Sequence, residues 1–312
     1  MLSLIGLIML VLGCQAPESN DLEDGKLRVV ATTGMLYDAV VNIGGDAIQA
    51  TSIMGPGVDP HLYKATQGDL SRLTAADLIV YNGLYLEGKM AEILGKLSSR
   101  KKIIAAAEAI PQDELIATTQ FGHSYDPHVW FDVHLWQKVV EAIAAGLSAA
   151  DADNADHFQA RKEVYLARLD SLHEEVKQSI STIPKQQRTL VTAHDAFAYF
   201  GQAYDIEVQG LQGLSTASDF GLKDIANITD LVIEKRLPAI FVETSVSEKA
   251  INAVVQGCRA RGHEVAIGGY LYSDAMGALG TPHGTYIGMV TANVKTIVEG
   301  LSGEQQHREG SN

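Results

Sequence analysis

Short apolar runs recur along the chain and alternate with longer segments of helical period. The strand-length runs are LRVVATT (27–33), IQATSIM (48–54), ADLIVYNG (76–83) and KIIAA (102–106). A second set follows: TLVTA (189–193), IEVQGL (206–211), AIFVET (239–244) and EVAIGG (264–269). Between them lie segments such as LKDIANITDLVIEKR and GTYIGMVTANVKTIVEGL, whose apolar residues return every three or four positions. Near-continuous apolar strands alternating with helices predict an α/β fold, with mainly parallel sheets covered on both faces.

The two sets of strands echo each other. VVATTGMLYDAVV (29–41) can be laid over LVTAHDAFAYF (190–200) at an offset of 160, matching Thr32 to Thr192 and Tyr37 to Phe197. DLIVYNG (77–83) falls near AIFVET (239–244) at an offset close to 162. Two similar lobes are therefore expected. Between them, DNADHFQARKEVYLARLDSLHEEVKQSISTIP (153–184) sets Phe158, Tyr165, Leu169, Leu172, Val176 and Ile180 on one helix face. Asp153 or Asn154 is placed to cap its start and Pro184 to stop it. About 28 helical residues at ~1.5 Å each make a rod of roughly 42 Å, able to join two lobes rigidly and limit their hinging. The expected division is an N-terminal α/β lobe (27–150), a linker helix (151–184), a C-terminal α/β lobe (185–303) and a polar tail (304–312).

The opening MLSLIGLIMLVLGC changes the picture of where such a protein works. Its apolar run is too short for a bilayer span of ~20 residues but suits a signal-peptide core. It closes on Val11-Leu12-Gly13-Cys14, the pattern of a bacterial lipobox, although no Lys or Arg precedes the run. Residues 1–13 are expected to be a signal peptide, Cys14 the lipidated residue and 14–26 a polar tether. The protein would be exported and held on a bacterial membrane, periplasmic or outer-facing, touching the membrane through its lipid anchor only. Cys258 is then left without a disulfide partner in the chain and reads as a buried small hydrophobe.

Charge narrows the partners. With 24 basic and 38 acidic residues, a net −14, the chain lacks the basic face that nucleic acid requires. An acidic surface would draw cations toward a cleft, although plain solubility is the commoner reason for such a charge.

One phrase occurs twice: DPHLY (59–63) and DPHVW (126–130). In parallel α/β sheets ligands bind beyond the C-terminal strand ends, and polar residues there deserve inspection. His61 follows the second strand across the loop GPGVDP, and His128 sits in the second DPH corner. His194 follows directly on TLVTA, with Asp195 opening the next helix, and Asp274 lies in YLYSDAMG after EVAIGG. Two fall in each half. Three imidazoles and a carboxylate suit one divalent first-row ion in tetrahedral or slightly expanded coordination. Singly, each has an ordinary explanation; Asp274 alone could be the N-cap of a helix over AMGALG. Asp59, Asp126 and Glu243 are candidates to take the second N–H of the ligating rings. Of the other histidines, His157 and His173 are expected to face solvent on the linker helix. His123 and His134 flank the second corner, and His263, His283 and His307 lie in a turn, a loop and the tail.

The phrases DPHLY, DPHVWFD, HDAFAYFGQAY, GLSTASD, RLPAIFVE and LYSDAMG, in that order, resemble the TroA-like metal-binding lipoproteins. These are the substrate-binding parts of zinc and manganese ABC importers. The likeness runs from about residue 27 to 302. It implies two lobes with the metal between them, a membrane permease as partner, a monomer, and one Zn2+ or Mn2+ per chain as transported cargo. Carried over residue by residue, the family's ligands fall on His61, His128, His194 and Asp274. The third position is His194 here, as in the zinc importers, whereas many relatives assigned to manganese carry Glu. The His-rich acidic loop of many zinc-importer proteins is missing between Glu114 and Asp126, so the choice between zinc and manganese stays open.

Capture without chemistry is the expectation, and the protein is not read as an enzyme. A catalytic zinc needs an open position and a general base, and no HExxH is present. The alternatives are a lipoprotein of the same architecture that binds a metal chelate or acts as an adhesin, and a purely structural metal site.

Overall fold

The computed structural model describes residues 25–119, 124–218 and 220–302. The signal segment, Cys14, most of the tether, His123, Asp219 of the GLSTASD motif, and the tail with His307 lie outside the described residues.

The chain runs β1 (Leu27–Ala31), α1 (Gly34–Gly44), β2 (Ile48–Ser52), α2 (Gln67–Ala75), β3 (Leu78–Tyr81), α3 (Ala91–Ser98), β4 (Lys102–Ala105), β5 (Ala117–Thr118), β6 (Ser124–Tyr125) and α4 (Val133–Ala150). After the long α5 (Ala155–Ser181) come β7 (Thr189–His194), α6 (Ala198–Tyr204), β8 (Glu207–Gln212), α7 (Leu222–Glu234), β9 (Ala239–Glu243), α8 (Lys249–Ala260), β10 (Ala266–Leu271) and α9 (Tyr286–Leu301). All eight expected strands are present. The antiparallel β5–β6 ladder was not anticipated, because two residues on each side carry no periodicity to detect.

In the first lobe the order is β2-β1-β3-β4, all parallel. In the second lobe β7 pairs with β8 and β9 with β10, again parallel, and β7 lies beside β9. The spatial order β8-β7-β9-β10 therefore repeats that of the first lobe. The overlays of β1 on β7 and of β3 on β9 reflect this shared topology.

α5 keeps Phe158, Tyr165, Leu169, Leu172, Val176 and Ile180 buried, the stripe its spacing predicts. Two details differ. Asn154 takes the N-cap position but makes no capping bond with its side chain; the Asp151 carboxylate instead accepts from the Asn154 N–H and side-chain amide. The helix also ends at Ser181, before Pro184. Its buried face joins α1, α4, α6 and α9 in one continuous core that reaches both lobes. Tyr165 donates to Asp38 on α1 at 2.9 Å and Arg161 to the Asn42 carbonyl at 2.9 Å. Each large side chain fully buried along this face contributes about 1.5–3 kcal/mol, so a wide rotation of one lobe against the other would expose a costly apolar surface.

Candidate metal centre

Each of the four expected residues is delivered by a different local device. His61 follows β2 through a loop in which Gly57 sits at φ +69°, and Asp59 Oδ1 accepts the His61 backbone N–H at 2.8 Å. His128 is set by Asp126, whose Oδ1 accepts both the backbone N–H (2.9 Å) and ring Nδ1–H (2.7 Å) of His128. The corner is pinned further: the Asp126 carbonyl accepts from Tyr199 at 2.9 Å and the Pro127 carbonyl from Asn82 at 3.0 Å. His194 is the last residue of β7 rather than the first after it. Glu243, the last residue of β9, accepts its backbone N–H at 2.8 Å and its Nδ1–H at 2.5 Å. Asp274 follows β10 by three residues. AMGALG forms no helix, so Asp274 caps nothing. Asp195 does not open α6, which begins at Ala198 after a bend.

The structure brings His61, His128, His194 and Asp274 together, with one donor atom of each within 4.8 Å of the others. All four residues are buried. The three Nε2 atoms converge on one carboxylate: His61 lies 3.5 Å and His194 3.3 Å from Asp274 Oδ2, and His128 lies 3.4 Å from Oδ1. His61 and His128 Nε2 are 3.2 Å apart. A tetrahedral ion with ligand bonds of ~2.0–2.1 Å spaces its corners by ~3.3–3.4 Å, and these four separations lie close to that spacing. His194 Nε2 and both Asp274 oxygens are buried and make no hydrogen bond within the protein. Burying such atoms without a partner is costly, and a cation among them removes that cost.

Asp126 and Glu243 fix two tautomers: a ring that donates from Nδ1 leaves the Nε2 lone pair free for an ion. Asp59 does not do this for His61. It holds the backbone, not the ring.

Electrostatics separate His61 from His194. Burial, reinforced by His128 and His194 and only partly offset by Asp274, pushes His61 down to about 3. For His194 burial also opposes the charge, but Glu243 and Asp274 outweigh it and hold the ring well above its ordinary value. Burial would raise Asp274; His194, then His128 and His61, hold it well below the carboxylate range instead.

A second group of donors comprises Asp132, His134 and His173, again within 4.8 Å of one another. His173 is buried, not solvent-facing. It stands four residues after Leu169 and three before Val176, in the same stripe, a signal that hydropathy alone conceals. Its ring stacks on His134 with centroids 3.7 Å apart and planes 16° from parallel. Imidazole lone pairs lie in the ring plane, so two near-parallel rings direct them side by side rather than toward one ion. Of the remaining histidines, His263 hydrogen-bonds the Leu237 carbonyl (3.1 Å) and His283 the Tyr272 hydroxyl (3.1 Å). Cys258 is buried and free.

A family model described as zinc-uptake complex component A, periplasmic (ZnuA) matches residues 29–300. The chain is 50% identical over 289 residues to the manganese-binding lipoprotein MntA of Bacillus subtilis (strain 168), covering 93% of this chain and 94% of that protein. It is 46% identical over 279 residues to the zinc-binding protein TroA of Treponema pallidum (strain Nichols), covering 89% and 90%. The solved structure of the periplasmic zinc-binding protein TroA from Treponema pallidum superposes with a TM-score of 0.87 over 89% of this chain and all of that one. The Fe(III)-bound YtgA of Chlamydia trachomatis, at 26% identity, superposes at 0.80 over 88% and 98%.

Proposed function

We infer the function from one premise: the chain belongs to the family described as zinc-uptake complex component A, periplasmic. Within it, we propose that this protein captures one divalent ion, zinc or manganese, and delivers it to the membrane permease of an ABC importer without catalysis. His61, His128, His194 and Asp274 are the ligands, with Asp126 and Glu243 orienting two of the rings. The observation that carries this reading is the convergence of three Nε2 atoms on the Asp274 carboxylate at 3.3–3.5 Å. Relatives named for manganese and for zinc stand close together in identity, so family membership leaves the metal open. Intrinsic affinity leaves it open too, since nitrogen-rich sites bind zinc above manganese whatever ion the cell supplies.

The working form is proposed to be a monomer, lipidated at Cys14 and tethered through residue 26 outside the cytoplasm. Among the described residues no helix is long and apolar enough to cross a membrane. The lobes are assigned to 27–150 and 185–303 around a linker at 151–184.

The test is a competition titration of zinc against manganese on chelator-stripped protein comprising residues 15–312. One tight equivalent, lost on His194→Ala, supports the reading. Absence of stoichiometric binding of either ion overturns it.

A further inference from the structure

His61 is the donor nearest solvent. It is 6% exposed, against 0% for His128 and His194 and 2% for Asp274. An ion that leaves has to part from His61 or pass it, so whatever holds His61 governs release. Asp59 holds His61 through the backbone, using Oδ1. The other oxygen of the same carboxylate reaches the opposite lobe, where Oδ2 accepts the Thr216 hydroxyl at 2.5 Å.

Thr216 lies in GLSTASD, the motif that the ligand set leaves without a role, and its loop is braced. Gln212 Nε2 donates to the Thr216 carbonyl at 2.7 Å and to the Ser218 carbonyl at 2.6 Å, and the Ser218 N–H reaches the Ser215 carbonyl at 2.9 Å. Gln212 in turn is the ladder partner of His194 across β7 and β8. A path of pairings thus runs from the strand partner of His194, through this loop, to Asp59 and the His61 backbone. His61, Tyr85 and Pro127 from one lobe, with Ser215 and Ala217 from the other, line a hollow of about 280 Å³ beside it. On the His128 side the lobes are tied elsewhere: Trp130 donates to the Ser273 carbonyl at 3.1 Å, and Tyr286 to the Trp130 carbonyl at 2.7 Å.

We propose that the Asp59–Thr216 hydrogen bond is the release latch of the metal site, with Thr216 a positioning residue that controls escape of the ion by tying the His61 loop to the C-terminal lobe. This rests on the reading of the four residues as the cargo site. With the latch made, His61 is held over the ion. With it broken, the loop can swing about Gly55 and Gly57, the latter already at a positive φ that suits glycine, and it carries His61 outward. The DPH corner at 59–61 then differs in purpose from the one at 126–128: Asp126 orients a ring, whereas Asp59 couples a ligand to lobe closure.

The experiment loads the 15–312 protein with one Zn2+ and follows zinc loss to excess chelator by stopped flow. Thr216→Val keeps the shape and removes the hydroxyl; Thr216→Ser keeps the hydroxyl. Loss of a hydrogen bond to a charged acceptor predicts about tenfold faster zinc release in the valine variant, with stoichiometry unchanged, and release within about twofold of wild type in the serine variant. In an Asp59→Ala background, which leaves Thr216 no side chain to bond, the valine change should add nothing further. Release from Thr216→Val within twofold of wild type, or a serine variant as fast as the valine one, overturns the latch. Failure of the wild-type chain to hold one equivalent overturns the cargo-site reading instead, so the two failures are distinguishable.

Discussion

Glu243 grips His194 twice, through the backbone N–H at 2.8 Å and the ring Nδ1–H at 2.5 Å, with a different oxygen for each. Asp126 grips His128 at the same two points with a single oxygen. The difference has a consequence for mutation. A glutamine at 243 can offer only one acceptor oxygen, so either the backbone bond is lost or the ring reverses its tautomer and puts a proton on Nε2, where the ion should bind. An asparagine at 126 can keep its single accepting oxygen in place. Glu243→Gln is expected to weaken zinc affinity by about 10–100-fold, and Asp126→Asn by less. Chelator competition on both variants checks the order, and the reverse order contradicts this account of how the rings are oriented.

Proton release on binding should differ between His61 and His194. His61, at about 3 in the metal-free protein, is already neutral at pH 7. His194 is held well above its ordinary value by Glu243 and Asp274 against the effect of burial, so it carries a proton there. An arriving ion must displace that proton. Below the raised value, affinity falls as pH falls, by up to about tenfold per unit for one proton. The loss therefore begins above the ~6.5 of an unperturbed imidazole. Calorimetry in buffers of different ionisation enthalpy should record a proton released on zinc binding at pH 7 that Glu243→Gln reduces. No release at pH 7, with affinity lost only below pH 6, would count against this assignment of charge.

The strand-end candidates were legible because a parallel sheet puts its loops, and the polar residues on them, at one edge. The apolar runs place His61, His194 and Asp274 at that edge, whereas His128 follows none of them and was marked by the repeated DPH corner. Glu243 and Asp126 were legible as acids near the site, but which atoms they grip depends on side-chain direction, which no period encodes. Asp59 illustrates the limit: the same Asp-Pro-His spelling gives a ring contact at 126–128 and a cross-lobe contact at 59–61, because only Asp59 faces Thr216. Thr216 stood inside the quoted motif GLSTASD, but its partner did not show in the sequence: it meets Asp59, 157 residues away.

A carrier has to stay folded when empty, and the core shows why it can. The buried face of α5 is built from Phe158, Tyr165, Leu169, Leu172, Val176 and Ile180, and none of the four donors lies on that helix. Stripping the metal should leave far-UV circular dichroism unchanged. Restoring zinc at a thousandfold over its dissociation constant should add about 4 kcal/mol, raising the melting temperature by on the order of 10 °C for a chain of this size. Cooperative unfolding on chelation alone would instead mark the site as structural.

The stacked pair His134–His173 offers a last test, since it gathers donors without aiming them. His173 is held below its ordinary value, first by burial and then by His134. A ring that resists protonation when folded but not when unfolded stabilises the protein above ~6.5, and that contribution is lost as pH falls through this value toward the lowered one. His173→Ala removes the stack and part of the α4–α5–α6 packing, at about 1–2 kcal/mol by denaturant unfolding at pH 7.5. The difference from wild type should shrink at pH 5, where the stabilisation from a neutral His173 is itself being lost. Zinc stoichiometry should remain one in His134→Ala and His173→Ala alike. A second equivalent in the wild type that disappears in both variants would show that the rings can turn edge-on to a metal after all.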